Sequence, residues 1–288
     1  MRTKYFSKRS IVQVALLAGI ATVFLAACGT SDTSNTSATA TATVVTAATA
    51  VMKHTPSGTV QLMWDPGTHK LMVHLALTGL APRSTHPARI SAGSCKSAGK
   101  VVYALTDIKA SAIGFANVDT TIAGVTGGIP ANGWYIDVHN GPAMSSDMQS
   151  QMITCADIVN PTASKTSAQN VQATLIESAD PDQAVNGTAQ LTLDHNKLTV
   201  TLSLKGLAPN TKHAAHIHFG SCASQGRVVY TLGPVEANAA GDANSTTVIA
   251  NVSTIPVSGW YVNVHRMTDI ATQTGFDPIA CGDITPVH

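Results

Sequence analysis

The sequence predicts an all-β protein with two tandem domains of the Greek-key sandwich or barrel class. Short segments rich in Val, Thr, Leu and Ile are separated by Gly, Pro, Asn and Asp, as in sheets of short strands. Neither half of the chain shows the sustained 3.6-residue apolar period that predicts long helices. One passage also occurs twice, as GLAPRSTHPARISAGSC at 79–95 and GLAPNTKHAAHIHFGSC at 206–222. A repeat of this length indicates two copies of one fold, so differences between the copies point to function.

The repeat continues to the end of each copy. GWYIDVH at 133–139 matches GWYVNVH at 259–265, and each copy closes with Cys-x-Asp-Ile, at 155–158 and 281–284. The two predicted domains therefore share their order of elements.

Alternating apolar residues predict the individual strands. Thr188–Leu193 and Leu198–Leu204 alternate on either side of Asp194–Lys197 and predict a hairpin. The matching hairpin of the first copy is predicted at 60–64 and 71–77, around Asp-Pro-Gly. Further strands of the second copy are predicted at 214–219, 228–232, 243–250 and 260–265, with equivalents in the first copy. About seven or eight short strands per copy favour a Greek-key sandwich or barrel.

The N-terminus predicts export. Lys4, Lys8 and Arg9 precede an apolar run that ends in Leu-Ala-Ala-Cys28, which is typical of a secretory signal rather than a membrane-spanning helix. The cysteine, followed by Gly29, resembles the lipobox of bacterial lipoproteins. This resemblance implies cleavage before Cys28, a lipid on its sulfur, and anchoring to the extracytoplasmic face of the cell membrane. The alternative is an ordinary signal peptide with an incidental cysteine.

Composition and the repeat set the expected domain boundaries. A signal peptide at 1–27 is followed by a Ser/Thr/Ala-rich segment at 28–55, which has too little bulk to bury and is predicted to be a flexible tether. The first domain is expected at 56–160 and the second at 169–288, joined by a linker at 161–168. Both lengths lie in the usual range for single domains.

Charge and aromatic content argue against nucleic-acid binding. The chain has 17 basic and 16 acidic residues, a net charge of +1, and no basic run. Aromatic residues make up 5% of the sequence, too few for a base-stacking surface.

The cysteines predict one disulfide in each copy. Apart from Cys28, the remaining cysteines lie at equivalent positions in the two repeats. Four cysteines allow three pairings, and duplication favours Cys95–Cys155 and Cys222–Cys281. Export makes disulfides plausible; free or metal-bound cysteines are the alternative.

A histidine cluster distinguishes the second copy. His216-Ile-His218 replaces Arg89-Ile-Ser91 of the first copy. Alternate residues of a strand face the same side, so the two imidazoles can converge on one ion. His213 precedes them and His265 ends the GWYVNVH run. Because the chain has 11 histidines, His-x-His alone is a weak signal, and surface or structural histidines are the alternative.

These residues resemble a known family. Residues 206–222 look like the copper-site strand and following loop of copper/zinc superoxide dismutases, 262–265 like the strand with the last copper histidine, and 279–284 like the C-terminal disulfide segment. The same set is similar to the CHRD domain, which occurs in many secreted bacterial proteins. The resemblance covers 185–288 and, more weakly, 58–159, and it implies two superoxide dismutase-like domains.

The resemblance also implies roles for particular residues. His216, His218 and His265 would bind copper, and His213 would pack and hydrogen-bond beside the site without being a ligand. Cys222 and Cys281 would form the disulfide that ties the loop to the last strand.

The sequence departs from the dismutases in two ways. No histidine lies between Cys222 and His265, so the family's bridging histidine and zinc loop have no counterpart, and zinc is not expected. Pro278 stands where the dismutases carry the arginine that guides superoxide; Arg266 and Arg227 are the nearby positive charges in sequence. A copper-only site is the form that these departures leave.

Three functions are therefore compatible with the sequence. The first is a lipid-anchored copper protein whose second domain dismutates superoxide. The second is a non-catalytic binding or adhesion module of the CHRD type, and the third is a copper-holding lipoprotein without turnover. Superoxide, copper and the membrane, through Cys28, are the expected partners. The first copy, with Arg89 and Ser91, is not expected to bind copper in the same way.

Overall fold

The computed structural model describes residues 45–176, 178 and 180–287. The predicted signal peptide, the lipidation site Cys28 and most of the predicted tether lie outside the described residues. Within them, antiparallel strands dominate, which confirms the predicted all-β sandwich or barrel fold. No helix in the described part of the chain has the length and apolar character needed to cross a bilayer.

The strands and helices follow the repeat. The elements up to the linker are β1 (Ala47–His54), β2 (Ser57–Asp65), β3 (Lys70–Thr78), β4 (Thr85–His86), β5 (Ala88–Ser94), β6 (Ser97–Ala104), β7 (Ile108–Lys109), β8 (Ala116–Ala123), β9 (Trp134–His139), α1 (Asp147–Ser150) and β10 (Met152–Ile158). Those after it are β11 (Gln169–Leu175), β12 (Asn186–Asp194), β13 (Lys197–Lys205), β14 (Lys212–His213), β15 (Ala215–Ser221), β16 (Ser224–Thr231), β17 (Val235–Glu236), β18 (Ala243–Ala250), β19 (Trp260–His265), α2 (Gln273–Phe276), β20 (Pro278–Asp283) and β21 (Thr285–Pro286).

The described residues form two structural units, and each unit has two four-stranded layers. In the first, β11-β2-β3-β8 faces β10-β9-β5-β6; in the second, β1-β12-β13-β18 is continuous with β16-β15-β19-β20, because β1 also pairs with β20. Side chains alternate between the core and solvent along the long strands, as in β13, where every second residue is buried. The unit of β2–β11 is called the first half below, and the unit of β1 with β12–β21 the second half.

The two repeats exchange their first strands. Residues 47–52 of β1 pair with 187–192 of β12, in the second repeat. Conversely, 169–175 of β11 pair with 58–64 of β2, in the first repeat. The structure thus differs from the expected organisation, because β1 lies within the predicted tether and β11 lies beyond the predicted linker. Each of these strands therefore pairs with the other copy and not with its own.

Side-chain packing follows the exchange. Ala48, Ala50 and Met52 of β1 are buried in the hydrophobic core of the second half. Val171 and Leu175 of β11 are buried in the core of the first half. Since burial of apolar surface is the main stabilising term in folding, each core depends on a strand from the other repeat.

Two single-turn helices were not predicted from the sequence. Each begins at a hydroxyl cap: Ser146 accepts a hydrogen bond from the Gln149 amide at 3.3 Å, and Thr272 accepts one from the Gly275 amide at 3.2 Å. Four residues are too few to show a 3.6-residue apolar period, so the predicted pattern of strands alone missed them.

Both disulfides expected from the duplication are present. Cys95–Cys155 and Cys222–Cys281 each join Cα atoms 5.8 Å apart. In each half the bond ties the turn of a hairpin, β5–β6 or β15–β16, to the strand that closes the repeat, β10 or β20. The cysteines are therefore not available as metal ligands.

Candidate metal centre

Two neighbouring strands bring the three candidate ligands together. β15 and β19 are antiparallel partners, with His216 opposite Asn263 and His218 opposite Tyr261. Ile217, between the two histidines, is fully buried in the core on the other face of β15. His265 ends β19 on the same side as Tyr261 and Asn263, because these three residues occupy every second position of the strand. The alternation of the strands therefore explains the cluster.

The three imidazoles are close enough to bind one ion. One ring nitrogen from each of His216, His218 and His265 lies within 4.8 Å of the other two. The ring centres are 5.1 Å apart for His216 and His265, 5.6 Å for His216 and His218, and 6.0 Å for His218 and His265. All three side chains are buried.

One nitrogen of each ring is left without a partner. His218 Nδ1 donates to the Gly226 carbonyl at 3.0 Å and His265 Nδ1 donates to the Phe276 carbonyl, which leaves Nε2 of both rings as the free lone pair. Among the described residues, His218 Nε2, His265 Nε2 and His216 Nδ1 are buried and have no hydrogen-bond partner. A buried polar atom without a partner costs about 1–3 kcal/mol. Three such atoms, one on each ring of a compact cluster, therefore indicate a ligand.

The environment keeps these imidazoles neutral, which is the state that binds metals. Burial lowers the pKa of His265 from 6.5 to about 4, against the hydrogen bond to Phe276. Burial, followed by the charge of His218, lowers the pKa of His216. Burial also lowers the pKa of His218, although the hydrogen bond to Gly226 opposes it. At neutral pH the three imidazoles are therefore uncharged, and one nitrogen of each can donate its electron pair to a metal ion.

Two residues beside the cluster were missed by the sequence analysis. Tyr261 stacks on His218 with ring centres 5.1 Å apart, and burial raises the pKa of its hydroxyl. The side chain of Asn263 is buried beside His216, with neither amide atom bonded within the described part of the chain. Both lie in the GWYVNVH run, Asn263 two residues and Tyr261 four residues before His265. The same alternation that grouped His216 with His218 could therefore have identified them.

His213 lies beside the cluster but is not part of it. Its Nδ1 donates to the His265 carbonyl at 3.1 Å, and its Nε2 lies 2.7 Å from Thr211 Oγ1. With both ring nitrogens engaged, His213 holds the backbone of a candidate ligand, which is the arrangement that the resemblance implies.

The two arginines near the site in sequence differ in position. Arg266 is buried, with its Nη1 3.7 Å from Asp182 and 3.4 Å from the Gln151 side-chain oxygen. Its charge is thus directed into the protein. Arg227 is exposed on β16, next to the Gly226 carbonyl that holds His218.

The equivalent place in the first half contains a different polar cluster. Asp137 occupies the position of Asn263 and accepts a hydrogen bond from Ser91 at 3.1 Å, while His139 Nε2 lies 3.4 Å from the same carboxylate oxygen. Arg89, in the place of His216, donates to the sulfur of Met144. A carboxylate beside His139 thus takes the place of the other imidazoles.

The residues present fit a soft or borderline metal ion that prefers nitrogen ligands. Three neutral imidazoles, with no carboxylate among them, suit Cu(II), Cu(I) or Zn(II) and favour copper in the divalent series. The three unpartnered buried nitrogens are the observation that carries this fit.

The comparison with protein families agrees with part of this picture. A family model of the CHRD domain matches residues 162–269, which include His213, His216, His218 and His265. Among curated proteins, none matches the chain.

Proposed function

We propose that this protein binds one copper ion through His216 Nδ1, His218 Nε2 and His265 Nε2. Two observations support the proposal: one nitrogen of each ring lies within 4.8 Å of the others, and one nitrogen of each ring is buried and unpartnered. The hydrogen bonds from His218 to Gly226 and from His265 to Phe276 fix which nitrogen of each ring faces the site. The resemblance to the copper strand of the dismutases favours copper over zinc, because the zinc loop has no counterpart.

We further propose that the site reacts with superoxide. Bound copper would supply one-electron redox chemistry, in which one superoxide is oxidised to O₂ and a second, with two protons, is reduced to hydrogen peroxide. The chain contributes the three neutral imidazoles and the Gly226 and Phe276 carbonyls that hold two of them. Arg266 is directed towards Asp182, and Arg227 is exposed next to Gly226 in the sequence. Electrostatic steering of the anion should therefore be modest.

The second candidate is a CHRD-type binding module that holds copper or no metal and has no turnover. The match to the CHRD family at 162–269 favours it. In either case, the lipobox-like Leu-Ala-Ala-Cys28 supports anchoring through a lipid on Cys28, outside the cytoplasm. Triton X-114 partitioning of the full-length protein and of the Cys28→Ser variant tests the anchor. If Cys28 carries a lipid, the full-length protein should enter the detergent phase and the variant should be lost from it.

Copper titration of residues 29–288, which contain every described element, tests the metal site. We expect one Cu(II) per chain with nitrogen hyperfine structure in electron paramagnetic resonance, lost in His216→Ala/His218→Ala. His74→Ala/His195→Ala is the matched control, since His195 is exposed and His74 lies on the sheet of the first half. Equal uptake by both double variants would refute the site, and a superoxide assay on the loaded protein separates the dismutase from the binding module.

A further inference from the structure

We propose that the first half, which lacks the three-histidine set, positions two of the candidate ligands of the second half through Gln225 and Gln273. This inference rests on the proposed metal site and assigns a role to the first half. Its basis is that the carbonyls holding His218 and His265 belong to two segments, each of which is hydrogen-bonded to the first half by one of these glutamines.

Gln225 anchors the segment that holds His218. Its side chain is buried and donates from Nε2 to the Leu80 carbonyl at 2.8 Å, and its amide donates to the Ile113 carbonyl at 3.1 Å. Leu80 and Ile113 both belong to the first half. The next residue is Gly226, whose carbonyl accepts the His218 Nδ1 hydrogen bond. The contact with the first half therefore anchors the residue that precedes Gly226, whose carbonyl holds His218.

Gln273 anchors the segment that holds His265. It begins α2, and its side chain makes three hydrogen bonds to the first half. Its Oε1 accepts from the Thr85 amide at 3.1 Å, and its Nε2 donates to the carbonyls of Thr85 at 2.8 Å and Asn140 at 3.0 Å. Phe276, the last residue of α2, provides the carbonyl for His265 Nδ1. The single turn of α2 thus connects the first half to a second candidate ligand.

The first repeat has neither glutamine. Ala98 stands at the position of Gln225 and Asp147 at that of Gln273, and both are exposed. The two glutamines therefore occur in the copy that carries the histidines, and both bond across to the other copy.

The consequence concerns the tautomers of His218 and His265. The backbone carbonyl keeps the proton on Nδ1 and leaves Nε2 free for an ion. If the carbonyl moves, the proton can occupy either nitrogen, and some of the molecules present an N–H to the metal instead of a lone pair. The metal-free protein should then show the change before any metal is added.

The test compares Gln225→Ala and Gln273→Ala with Gln172→Ala, an exposed glutamine of β11. In metal-free wild type, ¹⁵N NMR of the imidazoles should show protonated Nδ1 and unprotonated Nε2 in His218 and His265. Gln225→Ala should mix the tautomers of His218, and Gln273→Ala those of His265. Each should also weaken Cu(II) binding by about tenfold, measured by chelator competition. This is the lower end of the loss in metal affinity that follows mutation of residues that orient metal ligands. Gln172→Ala should match wild type.

A change within the first half gives a sharper test. A β-carbon at Gly114 would lie 2.5 Å from Gln225 Nε2 and 2.4 Å from the Leu80 carbonyl oxygen. Gly114→Ala should therefore displace the Gln225 side chain and alter the imidazole signals of His218, while those of His265 stay unchanged. Because φ of Gly114 is +76°, alanine is strained there, and Gln273→Ala decides the question if this variant or Gln225→Ala does not fold.

The outcomes separate the two proposals. Unchanged imidazole spectra in folded Gln225→Ala and Gln273→Ala would overturn the positioning role, whatever the wild type binds. Mixed tautomers in these variants, together with no Cu(II) uptake by wild type, would support positioning and refute the metal site. Mixed tautomers with tenfold weaker Cu(II) binding would support both.

Discussion

Replacing Met52 by alanine should destabilise the second half, although Met52 precedes the first repeat in sequence. Its side chain is 1% exposed and belongs to the core of the second half. It lies against Gly282 of β20, where a β-carbon would be 2.9 Å from the Met52 sulfur. Truncation therefore opens a cavity beneath the strand that carries Cys281.

The expected loss can be compared with that of a neighbour. Met→Ala in a core costs about 2–5 kcal/mol in the free energy of unfolding, and the full burial of Met52 favours the middle of this range. Val51, on the opposite face of the same strand, is 60% exposed, so Val51→Ala should change the free energy of unfolding by about 0.5 kcal/mol or less. Urea unfolding of both variants measures the difference.

Hydrogen exchange locates the effect. The backbone amides of β12 and β20, which pair with β1, should lose protection in Met52→Ala, whereas those of β2 and β3 should not. If protection were lost in β2 and β3 instead, β1 would belong to its own repeat and the strand exchange would be refuted.

Two further predictions concern the assembly of the halves. Burial lowers the pKa values of His54 and His86 from 6.5 to about 4, so below pH 6.5 these histidines take up protons in the unfolded chain but not in the folded one. By pH 4 the free energy of unfolding should therefore fall by about 3 kcal/mol per histidine. Urea midpoints that do not change between pH 7 and 4 would contradict this. Cleavage at a protease site inserted in 161–168 should leave the two fragments associated in gel filtration. The reason is that β1 and β11 each pair with a strand of the other fragment, while each disulfide lies within one fragment. Fragments that elute separately would contradict the strand exchange.

Local patterns in the sequence predicted much of the fold and the core of the candidate site. Alternation placed the hairpin of β12 and β13 almost at its observed bounds, and the same rule grouped His216 with His218. The addition of His265 depended on the resemblance to the dismutases, since nothing local connects it with a segment about 50 residues earlier. The duplication pointed to both disulfides because each copy carries its cysteines at matching positions.

The strand exchange could not be predicted from the same patterns. β1 and β11 each present a buried face and an exposed face, and two similar sheets offer each strand equivalent partners. The alternation of each strand therefore does not identify which sheet it joins. The carbonyls of Gly226 and Phe276 were also missed, because a backbone group carries no sequence signal.

The strand exchange connects the first half to the half that carries the candidate site. At the equivalent place in the first half, Asp137 accepts a hydrogen bond from Ser91 and lies beside His139. Removing that half would nevertheless take β1 from the second core, since β1 is joined to β2 through Thr55-Pro56. It would also remove the partners of Gln225 and Gln273. The core of the first half and its contacts with the second half are therefore linked to the candidate site that the other repeat carries.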